Sequence, residues 1–364
     1  MKLLKRNCFF SILHILYFQL QGQAQGLQVP SELAKGNADL ISAQPENAIF
    51  YNPASLLSPI SAYSLGLSYN PLGRNAGSLE KKISTLKNDK QRQIEEVEKL
   101  IGKPLHLSNF FGVSFVPRPY SGLGFYVQTT ADSIVRGRIL PILDMDLVMR
   151  SSLIIPIARP FVHRQIVLGL AVKPSYKFEH NVHRDAFEIF EDKTIIKPTE
   201  NGKEGFGLGL DMGVLIVKHF IDRVIKLGGS IRNVGSTSYK RVTYLAKESE
   251  KSPTADKPLM ALGGNFQQHL YVINGVDFLA HYAYLWDDGE IYTHSKSSQY
   301  GLTFGFLNRS IELSAGKLKN LDSYGFKISL KFISIFYGYY QDAWEGSSDA
   351  ARSGRHFVQV TSSW

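Results

Sequence analysis

A period-two alternation of large apolar with small or polar residues recurs along the chain and limits what it can fold into. Tyr324, Phe326, Ile328, Leu330 and Phe332 alternate with Gly325, Lys327, Ser329 and Lys331. The pattern returns in Tyr300, Leu302, Phe304 and Phe306 against Gly301, Thr303 and Gly305. It returns again in Phe206, Leu208, Leu210, Met212 and Val214 against Gly207, Gly209, Asp211 and Gly213. Leu123, Phe125 and Val127 oppose Gly124, Tyr126 and Gln128 in the same way. Successive side chains of a strand point to opposite faces, so each segment has one greasy face and one small or polar face. Each runs for about 9–12 residues, the length of a tilted strand that crosses a bilayer. A soluble sandwich would bury the apolar face, whereas a membrane barrel turns it to lipid and fills the lumen with the other. Alternation alone leaves both open.

Strands are predicted at 61–69, 109–117, 122–131, 142–157, 165–178, 205–217, 225–234, 257–267, 274–285, 298–306, 309–317, 323–331, 332–341 and 354–363. That makes about 14, an even number, as in single-chain bacterial barrels. The connections choose between the architectures. Those at 118–121, 158–164, 218–224, 268–273 and 307–308 are short, and 331–332 is a direct turn. Alternating with them are mostly longer ones at 70–108, 132–141, 179–204, 235–256, 286–297, 318–322 and 342–353. A sandwich has no reason to sort its loops by length. A membrane barrel with both termini periplasmic does. The expected fold is therefore all-β, a transmembrane antiparallel barrel. Its first long loop carries Ile83, Leu86, Ile94, Val97, Leu100 and Ile101 at helical spacing, predicting a helical insertion over about 78–101. A mean hydropathy of −0.11 with 20% charged residues excludes a polytopic helical membrane protein.

Residues 1–24 read as a secretory signal: Lys2, Lys5 and Arg6, an apolar stretch from Cys8 to Leu20, then Gly22 and Ala24. Setting them aside leaves 38 basic against 32 acidic residues and no cysteine, so disulfide and thiolate chemistry are excluded. The positive excess is diffuse and gives no nucleic-acid footprint. The expected division is a signal at 1–24, an N-terminal plug segment at 25–60 and the barrel at 61–364.

Residues that carry chemistry are sparse. Gly205, Gly207 and Gly209 lack nucleotide-loop spacing, and no Walker, nucleophile-elbow or zincin motif is present. His180 and His183, with Glu179, Asp185 and Glu188, read as a solvated outer loop before they read as a metal site. Asp144, Asp146 and Arg150 share the polar phase, as do Lys173, Asp211, Arg232, Asp277, His281, Lys327 and Lys331. They are candidates for a hydrated, charged lumen. Neither catalytic residues nor a metal nor a cofactor is expected.

Ahead of the first strand stands "ENAIFYNPASLL", in which Asn47, Phe50, Tyr51, Asn52, Pro53 and Ala54 carry a motif "A-x-F-Y-N-P-A-x-L". This segment resembles the N-terminal signature of the FadL superfamily of outer-membrane barrels, although Glu46 stands where an aspartate is common. The resemblance implies a hatch lying inside the barrel. Elsewhere "GLGLDMGVLIVKHF", "YGLTFGFLNRSIELSAGK" and "LIGKPLHLSNFFGVSF" are similar to the PorV-like and conjugal-transfer TraF-like branch. The chain end, with Val358, Val360 and Trp364 in phase, resembles the terminal signal read by the barrel-assembly machinery. These likenesses imply a plugged channel in the outer membrane of a Gram-negative bacterium, in contact with its lipid and lipopolysaccharide, passing a hydrophobic small molecule held near Phe50, Tyr51 and Tyr126. The alternative is a secretion or conjugation accessory that binds a protein partner through its extracellular loops, including the helical one.

Overall fold

The structure, a computed structural model, describes residues 35, 45–56, 62–69, 101–102, 105–118, 120–137, 142–163, 165–185, 202–246, 251–270, 276–287, 295–318, 321–330, 332–342 and 353–363. The expected signal, the helical insertion before Ile101, Lys331 and Trp364 lie outside these residues.

The strands are β1 (Ala62–Tyr69), β2 (Leu105–Arg118), β3 (Ser121–Arg136), β4 (Ile142–Phe161), β5 (Ile166–Asp185), β6 (Gly202–His219), β7 (Arg223–Arg232) and β8 (Tyr239–Arg241). They continue with β9 (Leu259–Leu270), β10 (Val276–Asp287), β11 (Ser295–Phe306), β12 (Ile311–Leu318), β13 (Leu321–Ser329), β14 (Ile333–Asp342) and β15 (Ser353–Ser363). Chain neighbours pair antiparallel, β1 also pairs with β15, and β5–β6 completes the circuit, so the sheet closes into a barrel without a free edge. Fourteen of the fifteen described strands form the ring. The extra one, β8, pairs with Gly205–Gly207 of β6, just past the point where β7 leaves it. It continues β7 beyond an interruption in which Asn233, Gly235 and Ser236 have positive φ.

The alternation resolves in favour of lipid outside. Leu123, Phe125, Leu168, Leu170, Leu208, Met212, Leu302, Phe304, Phe326, Ile328, Val358 and Val360 are exposed on the outer wall. Their neighbours Gly124, Tyr126, Ala171, Asp211, Thr303 and Gln359 are buried inside. An apolar surface this continuous is tolerable only against acyl chains. Tyr282 and Tyr300 sit opposite each other across β10–β11, and Tyr324, Tyr339 and His356 across β13–β15, as an outward aromatic belt.

The turns joining β2–β3, β4–β5, β6–β7, β11–β12 and β13–β14 are short and share one end of the barrel, where β1 begins and β15 ends. The connections at the other end are mostly longer, but the one between β12 and β13, expected among the longer ones at 318–322, leaves only two residues between Leu318 and Leu321. Two expectations are corrected. β4 and β5 each run 20 residues, about twice the bilayer-crossing length, so they rise past the membrane at the long-loop end. Residues 179–185 therefore belong to a strand and not to an outer loop. His180 is buried on the outer side, stacked on Phe178, while His183 faces the opposite side toward Asp144. Pointing to opposite faces, the two cannot share one metal ion.

The barrel lumen as candidate functional site

Inside the barrel at the short-turn end lies a helix α1 (Pro45–Tyr51), followed by Asn52 and a 3₁₀ turn at Pro53–Ser55. The break between them is chemical. Asn52 is extended, its side-chain oxygen accepts from Ala54 N at 3.0 Å, and Pro53 supplies a preset φ for the next turn. Every residue from Asn47 to Leu56 is buried.

Glycines of the lumen phase make room for it. A Cβ on Gly169 of β5 would overlap the backbone of Pro53 and Ala54, and one on Gly213 of β6 would overlap the Asn52 side chain. A Cβ on Gly124 of β3 would strike Ile49, and one on Gly301 of β11 the Lys35 carbonyl. Directional contacts add register. Gln359 donates to Asn47 Oδ1 at 2.8 Å, Asn52 donates to the Val214 carbonyl at 3.4 Å, and Tyr120 N donates to the Leu56 carbonyl at 3.0 Å.

The aromatic residues pack as a group. Phe50 meets Phe110 and Tyr126 edge-on with centroids 6.1 and 6.2 Å away, and those two rings stack at 6.1 Å. Tyr51 lies beneath the Arg232 guanidinium at 5.7 Å. The wall thus presents an apolar floor at Phe50, Phe110 and Tyr126.

Above that floor the lumen is charged, through partners far apart in sequence. Lys173 on β5 pairs with Asp211 on β6 at 3.0 Å, and Asp211 also accepts from Asn233 N. Higher up, Asp256, from the connection between β8 and β9, reaches back into the barrel. It accepts from Arg150 Nη2 and Lys177 Nζ at 2.9 Å each and from Tyr239 Oη at 2.7 Å. Lys177 spends its remaining protons on Glu179 and on the Thr254 carbonyl, both at 2.8 Å. Glu179 accepts from Thr254 N and Thr254 Oγ1. The Thr237–Asp256 backbone bridge fixes the approach. Burial alone would raise the Asp256 carboxyl, but the Arg150 and Lys177 charges outweigh it and hold the group below the usual carboxylate range. The expected free loop at 235–256 is thus pinned inward at its far end.

The sequence candidates separate accordingly. Arg150 joins this cluster, but Asp144 pairs with Arg136 at 3.3 Å and with His183 at 2.5 Å near the long-loop rim, and Asp146 is exposed. Lys327 lies 3.7 Å from Glu312, which also binds Arg309. Val358 and Val360 face outward on β15. Asp256, Lys177 and the lumen glycines were not among the candidates. For Lys177 and Glu179 a signal existed, because Lys173, Ser175, Lys177 and Glu179 continue the polar phase. Across β9–β12, Asn265, His281, Thr303 and Ser314 form a hydrogen-bonded row. Among the described residues no cluster of three or more His, Cys, Asp or Glu could hold a metal ion.

No protein-family description matches the chain, and no curated protein does. Among solved structures it is similar to the toluene transporter TbuX of Ralstonia pickettii, at 11% identity and a TM-score of 0.44 over 93% of this chain and 98% of that one. It is similar to the toluene transporter TodX of P. putida, at 9% identity and 0.45 over 87% and 92%. It is also similar to CdiB from Escherichia coli, at 9% and 0.39, covering 84% of this chain but 63% of that one. At these scores none carries an argument about role, and the fold rests on the strand register above.

Proposed function

We propose that the chain is an outer-membrane barrel of a Gram-negative bacterium, FadL-like in design, and that it is a plugged channel for uptake or export of hydrophobic small molecules. The observation that carries this reading is the seating of 45–56 on lumen glycines, Gly169 against the Pro53–Ala54 backbone, Gly213 against Asn52 and Gly124 against Ile49, where an added side chain would collide. A segment packed that closely blocks diffusion of water and ions. Phe50, Phe110 and Tyr126 are buried against one another at rest, and a shift of the hatch would uncover them as an apolar surface for such a molecule. The ionic row above it would favour entry of molecules that shed little hydration. Passage then requires the hatch to shift, and no bond is made or broken in the cargo.

The test is conductance. The intact protein in a planar bilayer is expected to stay closed, and deletion of 36–57 to open an ion-permeable pore. A deletion variant that still folds as a barrel yet does not conduct would refute the hatch. The accessory reading loses support at one of its docking surfaces, because Asp256 ties the 233–258 connection into the lumen.

A further inference from the structure

Where the aromatic floor gives way to the ionic cluster, two donors stand side by side on the inner wall with no acceptor among the described residues. Gln128 of β3 and Arg150 of β4 are directly paired in the strand register, and both turn inward. Neighbours paired in this way hold their Cβ atoms about 5 Å apart. Gln128 is 4% exposed, and its buried Nε2 forms no hydrogen bond. Arg150 gives Nη2 to Asp256 at 2.9 Å, but its Nε, buried as well, forms none. Tyr126 completes the group, two residues from Gln128 on the same face of β3. Its hydroxyl has no hydrogen-bond partner among the described residues. It lies close enough to the Arg150 guanidinium and the Tyr239 hydroxyl to act on both electrostatically. Phe110, whose ring stacks on Tyr126, is paired with Gln128 from the other side. The polar groups therefore border the apolar floor.

A buried donor left unmet is costly, and the group cannot cure this internally. If the amide turns so that its oxygen accepts from Arg150 Nε, both amide protons still want an acceptor, and only the Tyr126 oxygen is at hand. What the group lacks is an oxygen acceptor. Charge beside it is already balanced, with Arg150 and Lys177 facing Asp256 and Glu179. A carboxylate would bring an uncompensated negative charge next to Asp256. A carbonyl oxygen brings lone pairs with neither a charge nor a proton of its own. We propose that Gln128, Arg150 Nε and the Tyr126 hydroxyl form a polar subsite for the carbonyl oxygen of a neutral apolar molecule, a ketone, ester or amide. Its apolar part takes the ring surface that a shift of the hatch uncovers. The subsite rests on the channel reading and adds to it the chemical class of the cargo. A hydrocarbon of the same shape leaves the donors unmet and binds less well.

The experiment is equilibrium dialysis of the full-length protein in detergent against acetophenone, ethylbenzene and benzoate, with protein-free micelles as the blank. It is run on the unaltered chain and on Gly169→Val, whose hatch should stand off the wall. A neutral hydrogen bond is worth about threefold to tenfold, so acetophenone should bind at least about threefold tighter than ethylbenzene, and tighter than benzoate. Gln128→Leu and Tyr126→Phe should each narrow the acetophenone-to-ethylbenzene ratio by about threefold to tenfold, a split that lost packing would not produce. Gln299→Leu is the control, a second buried amide without a partner, on β11 at the opposite wall of the ring. It should leave the ratio unchanged. Equal binding of acetophenone and ethylbenzene in both backgrounds overturns the subsite, as would follow if water alone met these donors, and leaves the channel reading standing. Tighter binding of benzoate than of acetophenone also overturns it. So does an equal narrowing in Gln299→Leu, which would mean a general effect of lumen polarity. Failure of all three to bind overturns the subsite too, and the channel reading is then judged by conductance alone.

Discussion

Gly169 and Gly213 show at the level of single residues how the lumen accepts a folded segment. The atoms facing Gly169 are backbone atoms of Pro53 and Ala54, which have no rotamer to turn aside. Gly169→Val should therefore leave the ring of strands intact and lift 45–56 off the wall. Tyr51, Ile49 and Leu56, all fully buried, would then lose packing of about 1.5–3 kcal/mol each if wholly exposed. The expected result is a barrel that still shifts on a gel when heated, with protease cleavage within 45–56 and a raised conductance. Gly235→Val is the control, because nothing lies within 4 Å of that position and only its φ of +74° is offended. It should cost about 1–2 kcal/mol locally and leave the hatch closed. The alternation made Gly213 legible as a lumen residue, but not the reason for it. Its partner Asn52 lies in a different part of the chain, and a local pattern holds no record of what packs on it.

At the scale of elements, the inward connection between β8 and β9 behaves as a latch. Asp256 gathers two cations and a phenol, so replacing it leaves Arg150 and Lys177 short of a counter-charge inside the wall. Asp256→Asn should weaken docking by about 1.5–3 kcal/mol, seen as trypsin cleavage after Lys251 at least about tenfold faster. The pH dependence follows in sign. The folded carboxyl titrates below its ordinary value of about 3.9, so its contribution is fully present above that value. It is lost as the pH falls through the depressed value. Docking should hold from neutrality to about pH 4 and fail only in stronger acid. The fourteen ring strands were legible because each carries its own period-two signal. β8 was not, being three residues long, and the upper reach of β5 reads as loop in the sequence. There Glu179, His180, Asn181, His183 and Asp185 leave Val182 as the one aliphatic side chain, since no lipid remains to demand an apolar side.

At the scale of the whole molecule, orientation decides which closure meets which compartment, and the chain suits a direct test. Its one cysteine is Cys8, so the unaltered chain shows the whole thiol background against which a single introduced cysteine is read. Ile221, 99% exposed in the β6–β7 turn, reports the short-turn end, and exposed Ser252 reports the long-loop end. Short turns face the periplasm in barrels whose termini lie there. An impermeant maleimide should therefore label Ser252→Cys in intact cells, and Ile221→Cys only after the outer membrane is breached. The unaltered chain controls for Cys8. The reverse pattern would set the hatch at the cell surface and the Asp256 latch in the periplasm. Labelling of neither site in intact cells, with both labelled after the breach, would mean the barrel is not inserted at all. On the proposed channel reading the ordering matters, because the two closures differ in kind. Packed glycines and aromatics yield to an apolar molecule that replaces their contacts, whereas an ion cluster yields to charge and acid. A channel with the latch outermost screens its cargo by polarity before the hatch screens it by shape.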